Sequence, residues 1–275
     1  MPIRPPSWRL ILILLGLITL PIGVGTLWLL LTALFNQVHG LIPVGNINFG
    51  NWRFLWEGSI NGRPPIWVAL LNSILFAATV ALIEVLVASM AAYAISRMNF
   101  PGRRLYLGMI LVLHAFPAVS LLIAIYYILR LLGLFDTLFG VILVKASLEI
   151  PLGIWLMKGF FDNLSWEMEM AALVDGASRW TVFRKVALPL VRPGILALGT
   201  FALLSAWGEF ILPYTLIVSG KSWTLALYLQ SFLRESFVDY GMMAAVGLFY
   251  ALPVFVFFLL GQKYLLNIYS GGVKG

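Results

Sequence analysis

Six apolar stretches, each close to the ~20 residues a helix needs to cross a bilayer core about 30 Å thick, divide this chain and leave little room for another architecture. They run over residues 10–35, 67–96, 105–129, 138–160, 191–218 and 242–266. Lipid offers no partner to a free backbone N–H or C=O, so such stretches fold as helices that satisfy themselves. The expected fold class is all-α: a polytopic membrane protein with about six transmembrane helices, read as one membrane domain over residues 1–275. Charge supports this. Only 11% of the residues are charged, against about 25% in a soluble domain, too few to coat a water-exposed globule. A net charge of +7 would suit nucleic acid if Lys and Arg shared a folded face. They sit instead in the gaps between apolar runs, which argues for a lipid bilayer and no nucleic acid. Cysteine is absent, so disulfides and thiolate metal sites are closed to this chain.

The first run follows Arg4 and Arg9 as a secretion signal would, but it is too long for a signal's apolar core and no small-x-small cleavage site follows. It reads as a retained anchor. With the N-terminus in the cytoplasm, twelve Lys and Arg (Lys263 and Lys274 among them) fall inside and five outside, the bias that sets membrane orientation; both termini are expected to be cytoplasmic. The first outer segment, residues 36–66, is expected to be ordered but irregular, and Asn99-Phe100-Pro101-Gly102 to be a tight inner turn.

The most informative stretch is the inner loop 161–190. Ser165 is placed to cap a short helix, with Glu167 and Glu169 in or near its first turn, where carboxylates favour the helix dipole. Met168, Ala171, Ala172 and Val174 mix small and apolar side chains, giving a short helix that can dock closely. Asp175-Gly176 then breaks it, since Gly accepts the positive φ that ends a helix and Asp can cap the next one. That second short helix, about 177–186, carries Trp180 and Phe183 one turn apart, and Pro189 and Pro193 restrict the approach to the next span. Two readings stand open: an amphipathic loop lying in lipid headgroups, or a plug for a protein socket, favoured by alanines that offer lipid little area but let two backbones approach.

Glu169, Ala171-Ala172-Leu173-Val174-Asp175-Gly176-Ala177, Phe183 and Leu188-Pro189-Leu190 resemble the EAA loop of ABC importer permeases. Asn72-Ser73, the stretch from Ala91 to Gly102, Leu132-Gly133-Leu134-Phe135-Asp136-Thr137 and the tail Gly271-Gly272-Val273-Lys274-Gly275 are similar to further motifs of that group. Together they make the chain resemble the second, six-helix permease of the maltose-type sugar importers. The resemblance implies a bacterial or archaeal plasma (inner) membrane protein without a cofactor of its own. It implies as partners a second permease, two copies of an ATP-binding subunit that hold ATP and Mg, and an extracytoplasmic substrate-binding protein. It also implies that Glu169, Met170, Ala171, Ala172, Asp175, Gly176, Ala177, Trp180 and Phe183 couple the ATPase to the membrane helices. Met170 stands where the family often has Glu, which puts an ion pair between Glu169 and the ATPase in question.

Several polar groups lie at membrane depth. A charge at the bilayer centre costs at least ~2.5–3.5 kcal/mol, so these groups must face protein or water. Lys145 and Glu149, four apart, are placed to pair. His114 precedes Phe116-Pro117, where a kink is expected; it either satisfies that break or serves function. Glu84 and Glu209 have no evident partner. Glu209, in Trp207-Gly208-Glu209-Phe210, is a candidate for the translocation path or the permease interface together with Glu84 and Trp207. Tyr126 and Tyr127 either stack on sugar or pack. On the outer segment 219–241, Trp223, Tyr228, Gln230, Phe232 and Arg234 form either an interfacial aromatic belt or, by resemblance, the loop that meets the binding protein.

Other functions fit less well. Gly220-Lys221-Ser222 lacks the Gly that a phosphate-binding loop needs five positions before Lys, where Leu216 stands. A self-sufficient secondary transporter or channel would favour inverted repeats and broken helices in both halves, and neither is visible. Two histidines without metal-like spacing to carboxylates give an enzyme little to work with, and no metal site is expected. A pure scaffold leaves the loop unexplained.

Overall fold

The computed structural model describes residues 8–39, 42–234 and 238–271; Arg4, Lys274 and the tail 272–275 lie outside the described residues, as does the side chain of Lys263. Among the described residues, four helices are long and apolar enough to cross a membrane: α1 (Trp8–Leu34), α2 (Ile66–Arg97), α5 (Leu138–Asp162) and α12 (Tyr240–Gly271), the last over Tyr240–Leu259.

The third and fifth expected spans are broken, which corrects the expectation that neither half carries a broken helix. The third is α3 (Arg103–Ala115) followed by α4 (Ala118–Leu131). Pro117 between them has extended backbone, φ −61° and ψ 124°, and lacks the N–H that would continue the ladder. The fifth is α9 (Arg192–Trp207), interrupted at Gly208 and resumed as α10 (Ile211–Leu216). Before α9 lie α6 (Trp166–Val174), α7 (Arg179–Val182), a π-helical turn over Phe183–Ala187 and α8 (Leu188–Leu190). The bar Arg179–Leu190 meets α9 at 76°, and if that bent pair counts as one span the described residues hold five, where the apolar windows gave about six. The last short helix is α11 (Leu225–Ser231).

Residues 36–66 are more regular than expected. β1 (Phe35–His39) and β2 (Ile42–Ile47) pair antiparallel, with Gln37 opposite Val44 and His39 opposite Ile42, and a 3-10 turn covers Phe49–Leu55. β-branched Val38, Ile42, Val44 and Ile47 around a glycine were the hairpin signal in the sequence.

The chain forms two compact units, Met1–Ile66 with Leu229–Leu252, and Trp67–Tyr228 with Pro253–Gly275. In the first, the buried Asn51 amide donates to the carbonyls of Ala33 (3.1 Å) and Phe35 (2.9 Å), which satisfies groups orphaned at the end of α1. Phe54 is fully buried with its ring edge-on to Phe249. Arg63 lies 3.8 Å over the Phe232 ring while its Nε donates to Ser231.

In the second unit α2, α5 and α9 share a core of small and apolar residues, among them Ala88, Ala92, Ile154, Met157 and Leu198. Without a hydrophobic drive between helices in lipid, small residues set the approach. A methyl group added at Gly194 would lie 2.5 Å from the Phe160 ring, and one at Gly153 would lie 2.9 Å from Glu84 Oε1 and 3.1 Å from the Ala88 Cβ. At one end, Asn72 donates to the carbonyls of Lys221 (2.8 Å) and Trp223 (2.9 Å), and Ser73 accepts from the Leu225 N–H (2.8 Å). Asp136, at φ 61°, accepts from the N–H groups of Val218 (2.7 Å) and Ser219 (2.8 Å).

Candidate functional site

Two groupings in the second unit carry the polar chemistry. The first is the 161–190 loop. Ser165 caps α6, its Oγ accepting from the Glu167 N–H at 3.3 Å. The helix closes as a Schellman motif: Ala177 N–H donates to the Ala172 carbonyl, Gly176 N–H to that of Leu173, and Gly176 sits at φ +85°. The cap of the next helix is Ser178, which accepts from the Thr181 N–H at 3.2 Å; Asp175 was the residue expected there. The second helix also runs on to Leu190 through the π turn, past the 177–186 expected.

The coupling candidates divide by face. Glu169 is buried at 2% exposure and points at α2, where its Oε1 accepts from Arg97 Nε at 2.7 Å and its Oε2 from the Tyr93 hydroxyl at 3.0 Å. Arg97 also donates to the Leu164 carbonyl. Beside this latch Ser96 donates to Asp162, which pairs with Lys158. Phe183 is buried too, packed on Tyr93 with ring centroids 4.9 Å apart and on Phe161. Both residues fasten the loop to the membrane helices. Met170, Ala171, Asp175, Gly176 and Trp180 are exposed, with Ala172 and Ala177 half-buried; Val174, at 81% exposure, stands furthest out. Sequence reasoning missed Arg97 and Tyr93 as partners of Glu169. Their signal was local: Tyr and Arg four apart at the end of a span, with no carboxylate nearby in sequence.

The second grouping lies at membrane depth. Lys145 Nζ donates to Glu149 (2.7 Å), the expected pair, and to Glu209 (2.8 Å). The expectation that Glu209 lacks a partner is therefore corrected: α10 begins just after it, and its other oxygen accepts from the Leu212 N–H at 3.2 Å. Ser205 donates to Glu149 at 2.9 Å. Glu84 is fully buried, and neither of its oxygens has a hydrogen-bond partner among the described residues. A cavity of ≈ 310 Å³ opens at the α3–α4 break, lined by His114, Phe116, Pro117, Lys145, Glu149 and Glu209 with their neighbours. His114 Nδ1 lies 3.4 Å from the Leu148 carbonyl on α5, so the imidazole reaches across the break and does not mend it.

Other candidates fall elsewhere. Trp207 is buried at 3% with its ring edge-on to Phe257, and so packs and does not line the cavity. Tyr126 accepts from Arg130 Nε at 3.0 Å and stacks edge-on with Phe135, while Tyr127 is exposed. In the 219–241 segment Tyr228 (1% exposed) and Phe232 (0%) are core residues, contrary to expectation; Trp223 and Gln230 are half-buried and Arg234 is exposed. Among the described residues no group of three or more His, Asp or Glu is arranged to hold a metal ion.

Comparison with known proteins gives this arrangement relatives. Residues 84–265, more than half of the chain, match the family described as the binding-protein-dependent transport system inner membrane component. The trehalose transport system permease protein SugB of Mycobacterium tuberculosis (strain CDC 1551 / Oshkosh) is 34% identical over 86% of this chain and 85% of its own. The maltose/maltodextrin transport system permease protein MalG of Escherichia coli (strain K12) is 32% identical over 87% and 86%. A chain of a bacterial ABC transporter involved in the import of the acidic polysaccharide alginate superposes with a TM-score of 0.78, covering 96% of this chain and 99% of that one at 22% identity, a likeness of fold.

Proposed function

The chain belongs to the family of binding-protein-dependent transport system inner membrane components, and from that premise we propose that it is a permease subunit of an ATP-driven importer for a carbohydrate or related glycosidic solute. It is a multi-pass inner-membrane transporter subunit and not an enzyme. Trehalose and maltose permeases at 34% and 32% identity support a sugar as the cargo class.

The single observation that carries the coupling role is the two-faced build of α6. Glu169 is locked to Arg97 and Tyr93 on one face, while Met170, Ala171 and Val174 stand uncovered on the other. In this reading the loop 161–190 lies in the cytoplasm with both termini. The exposed face of α6, with Asp175, Gly176 and Trp180, seats in an ATP-binding subunit that holds ATP and Mg. Glu169 and Phe183 carry its motion to α2. Because Glu169 is spent inside the chain and Met170 is apolar, the seat is made by packing and not by an ion pair. Two such ATPase copies, a second permease and an extracytoplasmic binding protein complete the assembly, with Trp223, Gln230 and Arg234 on the side facing the binding protein. Glu209 and the cavity beside it face the path or the companion permease.

A photoactivatable residue at Val174 tests this. It should capture a nucleotide-hydrolysing companion in membranes, and Val174→Asp should abolish binding-protein-stimulated ATP hydrolysis without lowering the amount of folded chain. Capture of lipid alone, or full stimulation in Val174→Asp, would remove the coupling role.

A further inference from the structure

The cavity at the α3–α4 break has a donor and acceptor balance that constrains what can pass it. Lys145 is the one ammonium on its wall among the described residues, and two of its three N–H bonds are spent on Glu149 and Glu209. Both oxygens of Glu209 are engaged, by Lys145 and by the Leu212 N–H. Glu149 Oε1 takes Lys145 and Ser205, whereas its Oε2 has no partner among the described residues. His114 Nδ1 lies 3.4 Å from the Leu148 carbonyl, and since a carbonyl can only accept, a hydrogen bond there has the imidazole as its donor. The wall therefore carries one positive against two negative charges, and most of its unspent hydrogen-bonding capacity accepts. Its volume of ≈ 310 Å³ falls at the lower end of the ~300–1,000 Å³ usual for small-molecule pockets.

We propose that this cavity is a cargo subsite that receives hydrogen-bond donors, such as the hydroxyls of an uncharged sugar, and turns away carboxylates and phosphates. The proposal rests on the reading of the chain as a permease and adds to it a selection by charge: an anionic cargo would meet an excess carboxylate with a single N–H left to greet it. Proline at the break is what makes the subsite, because an unbroken third span would fill the space with side chains and a continuous backbone.

The absence of cysteine makes a direct test practical. In the assembled transporter, with its ATPase and binding protein, Ala118→Cys (and Ala115→Cys as a second position) is labelled with cationic and with anionic methanethiosulfonates of similar size. The cationic reagent should react several-fold faster, below the roughly tenfold minimum of a cleft lined by one sign of charge because Lys145 offsets one carboxylate, and Glu149→Gln should bring the ratio towards one. Trehalose or maltose should slow labelling, and a glucuronate disaccharide should not. Equal rates for the two reagents, no labelling at either position, protection by the uronate, or protection by none of the three sugars would overturn the subsite. ATP-driven uptake of a neutral sugar in the same preparation separates this failure from failure of the permease reading, which would leave no uptake at all.

Discussion

Among the described residues, two buried ion-pair groups both join a basic side chain to glutamate, to opposite ends. At the α6 latch one Arg meets one Glu, Tyr93 supplies a further donor, and the charge is balanced. At membrane depth one Lys serves two Glu, a third carboxyl on Glu84 goes without a hydrogen-bond partner among the described residues, and a cavity opens alongside. A closed, neutral pair fastens one element to another. An open, unbalanced one keeps capacity for something that arrives. The difference teaches where to look for mechanical work and where to look for cargo, and single substitutions can break or sharpen it.

The largest effect should come from Lys145→Met. It leaves two carboxylates uncompensated in the membrane, each worth at least ~2.5–3.5 kcal/mol, and the expected outcome is loss of inserted chain on size-exclusion chromatography. The triple change Lys145→Met, Glu149→Gln, Glu209→Gln should restore insertion; a stable Lys145→Met alone would show that the carboxylates do not need the ammonium. Next comes Glu169→Ala. Removing one partner of a buried pair costs about 3–5 kcal/mol, so the thermal midpoint should fall and stimulated ATP hydrolysis with it. Arg97→Ala should do the same, and the double variant should lose little more, because the latch acts as a unit. Additive losses would mean that the two residues act separately.

Gly153→Ala is expected to cost about 1–3 kcal/mol by overpacking, since its methyl group would press on Glu84 and Ala88. Shortening Glu84 to Ala in the same chain should relieve the contact, and a thermal midpoint unmoved by the second change would place the strain elsewhere. The smallest effect belongs to Asp136. Burial raises its carboxyl pKa, but the N–H groups of Ser219 and Val218 and the Ser219 hydroxyl outweigh that and hold it below the ordinary 3.8. A carboxyl whose pKa is depressed on folding contributes stability at neutral pH that is lost as pH falls through the folded value. Asp136→Asn keeps an acceptor and tolerates the φ of 61°, so its midpoint should sit slightly below wild type at pH 7 and converge with it in acid. A gap that persists under acid would assign the effect to shape and not to charge.

Much of the latch region was legible in the sequence because its signals are local. Ser165 as a cap and Gly176 as a stop depend on neighbours within a turn or two, as does the Lys145–Glu149 pair of the other grouping. Pro117 announced a kink, yet the apolar window ran straight through it, because hydropathy averages over a break that one missing N–H creates. Glu209 with Lys145 and Glu169 with Arg97 are 64 and 72 residues apart; only the packing of α5 on α9 and of α6 on α2 brings them together, and one sequence holds no record of that. The same limit misplaced Tyr228 and Phe232. An aromatic on a short helix fits a surface belt or a core equally well by composition, and the burial of both rings decides for the core.

The 76° corner between α8 and α9 has a mechanical corollary. From that corner α9 extends 16 residues, an arm of about 24 Å at 1.5 Å per residue. A rotation of ~5° imposed on the short bar would swing the far tip by about 2 Å, the scale of helix shifts at subunit interfaces. In the proposed coupling role this corner would serve as a bell crank, turning a push along the loop into a sideways stroke at the level where Glu209 meets Lys145.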